Sequence, residues 1–150
     1  MKFKWTAEKS LFLTFALTAA MLLMTVCGLF AVPAVSRWYS ALSGRGPAGT
    51  VLGICLYLSL LDGIAALCIL LKLLANIAKQ KMFVEENARC LRLVSWCCFF
   101  LAAIWLFLGW FRFIALCVGI IAAFAGLVVR VMLNLLETAI AMREEQDYTI

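Results

Sequence analysis

The sequence predicts an all-α integral membrane protein, a bundle of four transmembrane helices, from two observations. The first is composition: 67% of the 150 residues are hydrophobic and 14% are charged, whereas soluble domains average roughly 45–50% apolar and about 25% charged residues. The second is distribution, because the charges cluster in short segments that separate four long apolar runs. That pattern is typical of membrane anchoring, and a chain of this length fits a single domain.

Each apolar run is long enough to cross a bilayer, whose hydrocarbon core takes about 20 apolar helical residues. The first run is longer than the apolar core of a signal peptide, which is usually about 7–15 residues, so it is interpreted as an uncleaved signal anchor. The predicted spans cover residues 11–32, 50–71, 93–111 and 113–136.

Short segments join these spans within two predicted hairpins. Residues 35–49 are expected to form a loop that includes a glycine-rich turn, and Trp38 in this loop suits the headgroup level. Gly49-x-x-x-Gly53, at the start of the second span, is a small-residue pair that allows helices to approach closely. Only Arg112 and its neighbours separate the third span from the fourth, so these helices should form a tight hairpin.

Residues 72–92 are predicted to form a charged connector between the two hairpins. This segment carries five of the thirteen basic residues. Within it, Glu85, Arg89 and Arg92 recur at i, i+4 and i+7, which places them on one solvated face of a short helix. The connector should therefore lie outside the hydrocarbon.

The fourth helix is expected to continue past the membrane. No proline or glycine occurs between Leu127 and Glu145, so one helix can run from Phe113 through Glu145. At about 1.5 Å per residue its length would be on the order of 50 Å, against a hydrocarbon core of about 30 Å. Residues 137–150 should therefore extend into the cytoplasm as a tail.

Orientation follows from the distribution of Lys and Arg. Ten of these residues lie at the amino terminus, on the connector and towards the end of the fourth helix, while Arg37, Arg45 and Arg112 lie on the opposite side. Cytoplasmic loops of membrane proteins carry the excess of Lys and Arg. Both termini and the connector are therefore predicted to be cytoplasmic, with the chain in the inner (plasma) membrane of the cell.

The residue types argue against catalysis and cofactor binding. Six of the seven cysteines lie inside apolar runs, where cysteine acts as a small packing residue, and Cys90 lies on the connector. His and CxxC pairs are absent from the sequence, so zinc and haem ligation have almost no candidates. We therefore expect no cofactor, no metal and no enzymatic activity. A quinone-linked thiol oxidoreductase, suggested by the adjacent Cys97 and Cys98, is a weaker alternative.

The positive net charge of +5 does not indicate nucleic-acid binding. The sequence has no Lys/Arg-rich block interleaved with aromatic residues of the kind that follows a phosphate backbone. The bilayer is the expected partner of the basic residues, and no direct contact with nucleic acid is expected.

Asp62 interrupts the second span and is the most informative single residue. A carboxylate near the bilayer centre costs about 2.5–3.5 kcal/mol on insertion scales, so it should face the bundle interior and have a partner. Arg130 is the candidate partner; counted from the outer ends of the two spans, the residues differ in depth by about 7 Å. Two interpretations stay open: a proton or cation site in a small transporter, or a buried structural contact.

Two short motifs stand out near the cytoplasmic charges. The connector contains Phe83-x-x-x-Asn87-x-x-x-Leu91-Arg92, and the chain ends with Glu144-Glu145-x-Asp147-x-Thr149-Ile150. Both resemble the YoaS-like family of small bacterial four-span membrane proteins, a domain of unknown function, whose tail more often reads Glu-Glu-Asn-Asp-Leu-Thr-Ile. The resemblance covers nearly the whole chain. It implies a bacterial inner-membrane protein, often encoded beside a small helix-turn-helix regulator, with no known catalytic residue.

The sequence therefore favours a non-enzymatic protein that engages a cytoplasmic partner, such as a small transcriptional regulator. The tail carboxylates are expected to pair with Arg89 and Arg92, which would clamp the fourth helix to the connector. The alternative is a small transporter or permease subunit that uses Asp62, as a homo-oligomer, because four helices alone enclose little pathway. The expected cytoplasmic interaction surface consists of Phe83, Asn87, Arg89, Arg92, Glu144, Glu145 and Asp147.

Overall fold

The computed structural model describes residues 7–43, 46–79, 81, 83–110 and 112–149, and in this part of the chain it contains four long helices and no strand. All four helices are long and apolar enough to cross a membrane. The prediction of an all-α, multi-pass membrane protein is therefore confirmed. The helices are α1 (Ala7–Ser43), α2 (Gly46–Ala78), α3 (Glu85–Gly109) and α4 (Phe113–Tyr148).

Several positions that carried sequence expectations lie outside the described residues. They are residues 1–6 with Lys2 and Lys4, residues 44 and 45 of the first loop, residues 80 and 82 of the connector, Phe111 at the end of the third predicted span, and Ile150 of the tail motif.

Large apolar side chains face outward along the helices. Phe30 is 84% exposed, Phe113 is 77% exposed and Trp110 is 90% exposed. A soluble monomer rarely exposes such continuous apolar surface, whereas lipid chains cover it at no cost. Several of the buried positions are instead small or polar, such as Ala102 and Ser95. Membrane helices pack in this way, because close backbone approach and hydrogen bonds hold them together.

The four helices pack in chain order, each against the next. The α3–α4 interface is the most extensive, the α1–α2 interface follows, and a smaller α2–α3 interface joins the two pairs. Within the described ranges, the backbones of α1 and α2 do not approach that of α4, and α1 does not approach α3. A side-chain contact nevertheless joins the two hairpins, because the guanidinium of Arg112, just before α4, lies 5.4 Å from the ring centroid of Tyr39 on α1. The bundle thus consists of two hairpins, as predicted, placed side by side.

The first hairpin is tightest where Gly49 meets α1. The hydroxyl of Ser36 donates a hydrogen bond to the Gly49 carbonyl at 2.6 Å. A Cβ on Gly49 would lie 2.7 Å from the backbone oxygen of Ser36, and one on Gly53 would lie 3.1 Å from the Ser36 hydroxyl oxygen. The Gly49-x-x-x-Gly53 pair therefore does permit close helix approach, as its spacing predicts.

The predicted loop over residues 35–49 is wrong. The α1 helix passes through Pro33 and ends at Ser43, and α2 begins at Gly46. Residues 44 and 45, within the predicted glycine-rich turn, lie outside the described part of the chain. A continuous helix satisfies its own backbone groups near the membrane, and proline is tolerated inside membrane helices. It also places Ser36 opposite Gly49.

The second hairpin is close-packed along most of its length. A Cβ on Gly109 would lie 2.9 Å from the Cα of Leu116, and one on Gly119 would lie 2.8 Å from the Leu106 side chain. Further along, the fully buried Ser95 hydroxyl donates to the carbonyl of Gly126 at 3.2 Å. The tight α3–α4 hairpin predicted from the short Arg112 link is confirmed.

The fourth helix is longer than α3, the helix against which it packs. It contains 36 residues, which is about 54 Å at about 1.5 Å per residue and more than the roughly 30 Å of a hydrocarbon core. The α3 helix has 25 residues. Because the tight turn holds the adjoining ends of α3 and α4 together, the excess of α4 lies alongside the connector. The predicted helix from Phe113 through Glu145 is present and continues to Tyr148.

Candidate interaction surface

The turn between α2 and α3 is organised around one buried amide. Asn87 is 1% exposed. Its Oδ1 accepts a hydrogen bond from Nδ2 of Asn76 on α2 at 3.0 Å, and its own Nδ2 donates to the Lys81 carbonyl at 2.7 Å. A buried amide left without partners costs about 1–3 kcal/mol. Asn87, in the first turn of α3, therefore ties that helix to the end of α2 and to the turn between them.

An ion pair lies beside this amide. The Lys72 ammonium is 2.7 Å from the Glu86 carboxylate, and the two side chains are 59% and 49% exposed. An ion pair exposed to this extent contributes little to stability, because solvent screens it, and less than the buried amide. Glu85 and Glu86 also stand in the first turn of α3, where negative charge favours the helix dipole. This explains why the helix begins here although no side chain caps it.

The extension of α4 is held against the connector end of α3 at two points. Nη2 of Arg92 donates to Oε1 of Glu137 at 2.6 Å. The guanidinium of Arg143 lies 5.7 Å from the ring centroid of Phe83, within the roughly 6 Å range of cation–π attraction. The extension is therefore docked on the connector.

Two adjoining clefts lie between the connector and α4. Their volumes are about 420 Å³ and about 390 Å³, and they share Ile140 and Glu144. Acidic, basic and apolar side chains line both clefts. The first cleft is lined by Glu85, Ala88, Arg89, Arg92, Glu137, Ile140, Ala141 and Glu144, and the second by Lys81, Phe83, Val84, Ile140, Arg143, Glu144 and Asp147.

Most of the residues predicted for the interaction surface meet here. Phe83, Arg89, Arg92, Glu144 and Asp147 line the clefts. Glu145 is exposed on the same extension of α4 but does not line a cleft. Asn87 is different: it is buried, so it builds the surface from below and offers no atom to a partner.

The expected pairing of the tail carboxylates with Arg89 and Arg92 takes another form. Among the described residues, Arg92 pairs with Glu137, which precedes the tail motif, and the second ion pair is Lys72–Glu86. The register of Gly119 against Leu106 puts Arg92 level with Leu133, and its long side chain reaches one turn further. Sequence spacing alone could not find Glu137, because this register was unknown.

Two residues of the sequence expectations lie within the membrane-spanning part. Asp62 stands midway along α2, and its carboxylate lies close to the Cys97 thiol of α3. Arg130 lies on α4 and is half-buried. Within the described ranges the two do not form an ion pair, because α3 separates α2 from α4.

The seven cysteines are free thiols. Across the described residues, no group of three or more His, Cys, Asp or Glu side chains is arranged to hold a metal ion. The contact of Cys97 with Asp62 places one thiol beside the intramembrane carboxylate, a juxtaposition that the sequence did not indicate.

Comparison with known proteins adds one relationship. A family model described as "Protein of unknown function (DUF2975)" matches residues 3–150, a range that includes all four helices. No curated protein and no solved structure matches the chain.

Proposed function

Because the chain belongs to the DUF2975 family of proteins of unknown function, we propose a role that rests on its own surface: a non-enzymatic membrane protein whose connector and α4 extension bind a cytoplasmic protein. The observation that carries this proposal is the docking of the α4 extension on the connector through Arg92–Glu137 and Arg143–Phe83. The docked segments form a shaped surface beyond the apolar spans. Packing of the spans alone does not require such a surface.

The finer assignment is part of the same proposal. The connector and tail motifs support a YoaS-like member of the family, in a bacterial plasma membrane. The excess of Lys and Arg at the connector end supports cytoplasmic termini under the positive-inside rule. In that orientation the clefts face the cytoplasm, where a small transcriptional regulator could reach them.

The charge of the surface suits a reversible complex. Each cleft presents both signs, Arg89 with Glu144 in the first and Lys81 with Asp147 in the second. Complementary charges at an interface raise the association rate and select the partner more than they raise affinity. A partner with its own mixed charges, exchanging on and off the membrane, fits these properties.

Site-specific photo-crosslinking in living cells tests the proposal. A crosslinking residue at Glu145 or Arg89 should capture the same protein, because both positions border one surface. A matched crosslinker at Trp38, which is 64% exposed near the α1–α2 turn at the other end of the bundle, should not capture it. Deletion of residues 144–150 should abolish capture from Arg89. Capture of unrelated proteins at the two connector-side positions would contradict a single binding surface.

A small transporter or permease subunit is the second candidate function. It is favoured by the position of the Asp62 carboxylate, midway along α2 and in contact with a thiol rather than a cation. Intramembrane carboxylates mark ion or substrate pathways in many transporters. Replacement of Asp62 by Asn should then abolish ion-coupled transport and leave partner capture intact, whereas deletion of residues 144–150 should do the reverse. If neither change alters any phenotype or complex, both candidate functions fail.

A further inference from the structure

Asp62 and Arg130 are two opposite charges within the membrane-spanning helices that the monomer keeps apart. Charged side chains in hydrocarbon are costly and are usually paired or directed to a polar interior. The helices that carry them do not pack against each other, since α3 lies between α2 and α4. Each charge therefore needs an oppositely charged or polar partner that the other residue of the same protomer does not provide.

The neighbours of the two residues do not supply a counter-charge. Asp62 contacts the Cys97 thiol, which is a weak hydrogen-bond donor without charge. The ion pairs of the described residues, Lys72–Glu86 and Arg92–Glu137, use other side chains. Arg130 is only half-buried, so part of its guanidinium side chain remains accessible from outside the protomer.

The two charges lie at compatible depths. Asp62 contacts Cys97 on α3, and a Cβ on Gly126 of α4 would lie 3.1 Å from the Cβ of the adjacent Cys98. Arg130 is one helical turn beyond Gly126, which is about 6 Å nearer to the connector end. A long, flexible Arg side chain can span such an offset, so depth does not prevent pairing once the helices are adjacent.

We propose that the protein forms a dimer in which Asp62 of one protomer pairs with Arg130 of its partner. A twofold axis along the membrane normal keeps both copies at the same depth and makes the interface self-complementary, so each dimer contains two such pairs. Arg130 lies at the edge of the α3-facing side of α4, one turn from the buried Gly126, and it is only half-buried. The partner's α2 would therefore meet α4 at this edge.

A charge-exchange experiment tests this proposal in native membranes. One tagged copy carries Asp62→Arg and therefore has two arginines at the contact; a second copy with a different tag carries Arg130→Asp and has two carboxylates. Each copy alone should associate with itself at least about tenfold more weakly than the wild type, because like charges would meet at both pairs. Expressed together, the two copies should associate nearly as strongly as the wild type.

An intramolecular pair predicts no such preference, since neither copy retains opposite charges within itself. Arg37→Asp at the opposite end of the chain is the matched control and should leave self-association unchanged. If the charge-exchanged copies fail to insert, the neutral variant Asp62→Asn, Arg130→Gln should still weaken self-association about tenfold. The proposal is overturned by a monomeric wild type in nanodiscs, by a neutral variant that associates normally, or by mixed copies without preference. In those cases Arg130 extends to lipid headgroups.

Discussion

The two hairpins of this protein pack by the same rule but differ in the polar residues that they carry at the connector end of the bundle. In both, glycines let the helix backbones approach, and a serine hydroxyl bonds to a glycine carbonyl across the interface: Ser36 to Gly49 in the first hairpin and Ser95 to Gly126 in the second. Small residues are the usual means of bringing membrane helices together. Packing chemistry alone does not distinguish the hairpins.

What distinguishes them is the polar structure at the connector end. The second hairpin supplies the buried Asn87 and both partners of Arg92–Glu137, whereas the first contributes Asn76 and Lys72 from the end of α2. From Leu11 to Met24, α1 is largely apolar and mostly exposed, with Thr18 as a buried exception. The charged surface beyond the apolar spans is therefore built mainly by the second hairpin and the turn that precedes it.

The largest expected effect tests whether that surface lies on one side of the membrane. All six lysines of the chain, Lys2, Lys4, Lys9, Lys72, Lys79 and Lys81, lie on the predicted cytoplasmic side. A membrane-impermeant amine reagent should therefore label the protein in inverted vesicles and leave it unlabelled in intact cells. A Trp38→Lys variant is the control and should become labelled in intact cells. Labelling of the unchanged protein in intact cells would show that the orientation is the opposite of the one predicted.

Overpacking of the second hairpin should have the next largest effect. Gly119→Leu places side-chain atoms where a Cβ alone would already lie 2.9 Å from the backbone nitrogen of Leu106. We expect a loss of about 3 kcal/mol, the upper end of overpacking costs, measured as thermal stability in detergent. At Gly28 a Cβ would lie 3.4 Å from a flexible Leu60 methyl, so Gly28→Ala should be neutral or stabilise by up to about 1 kcal/mol. Equal losses would mean that the contact distances do not govern stability.

Removal of the buried amide should have a smaller effect, confined to the connector. Asn87→Ala leaves the Asn76 amide and the Lys81 carbonyl without this partner, a cost of about 1–3 kcal/mol. Limited proteolysis should then cut the connector faster. Asn134→Ala, at an exposed position on α4, should change stability by less than about 0.5 kcal/mol. An unaltered cleavage rate for Asn87→Ala would contradict the role given to this residue.

Reversal of the exposed ion pair should have the smallest effect. Arg92→Glu removes the Glu137 contact, whose side chains are 55% and 43% exposed, and should cost no more than about 1 kcal/mol. Proteolysis of the α4 extension should nevertheless accelerate. Adding Glu137→Arg to this variant should restore protection. Arg89→Glu should have less effect, because Arg89 forms no ion pair among the described residues. If the double exchange restores nothing, the pair does not hold α4 to the connector.

Much of the fold could be predicted because hydrocarbon imposes strict requirements on a chain. Four long apolar runs require four helices, since only self-satisfied backbone crosses a bilayer. The unbroken pattern from Leu127 to Glu145 predicted the long fourth helix for the same reason. The prediction of a loop over residues 35–49 was wrong because polar and aromatic residues near the headgroups, such as Arg37 and Trp38, occur in helices as well as in loops.

Composition, apolar run length and charge distribution were thus sufficient for the fold class, the two hairpins and the region where charged side chains collect. They could not predict that Arg92 pairs with Glu137, that Asn87 is buried, or that Asp62 and Arg130 lie apart. Those outcomes depend on which helices are neighbours and in what register they pack. Close contacts at glycines, such as Gly119 against Leu106, fix that register. The pattern of apolar residues along one helix does not show which residues of its neighbour it will meet.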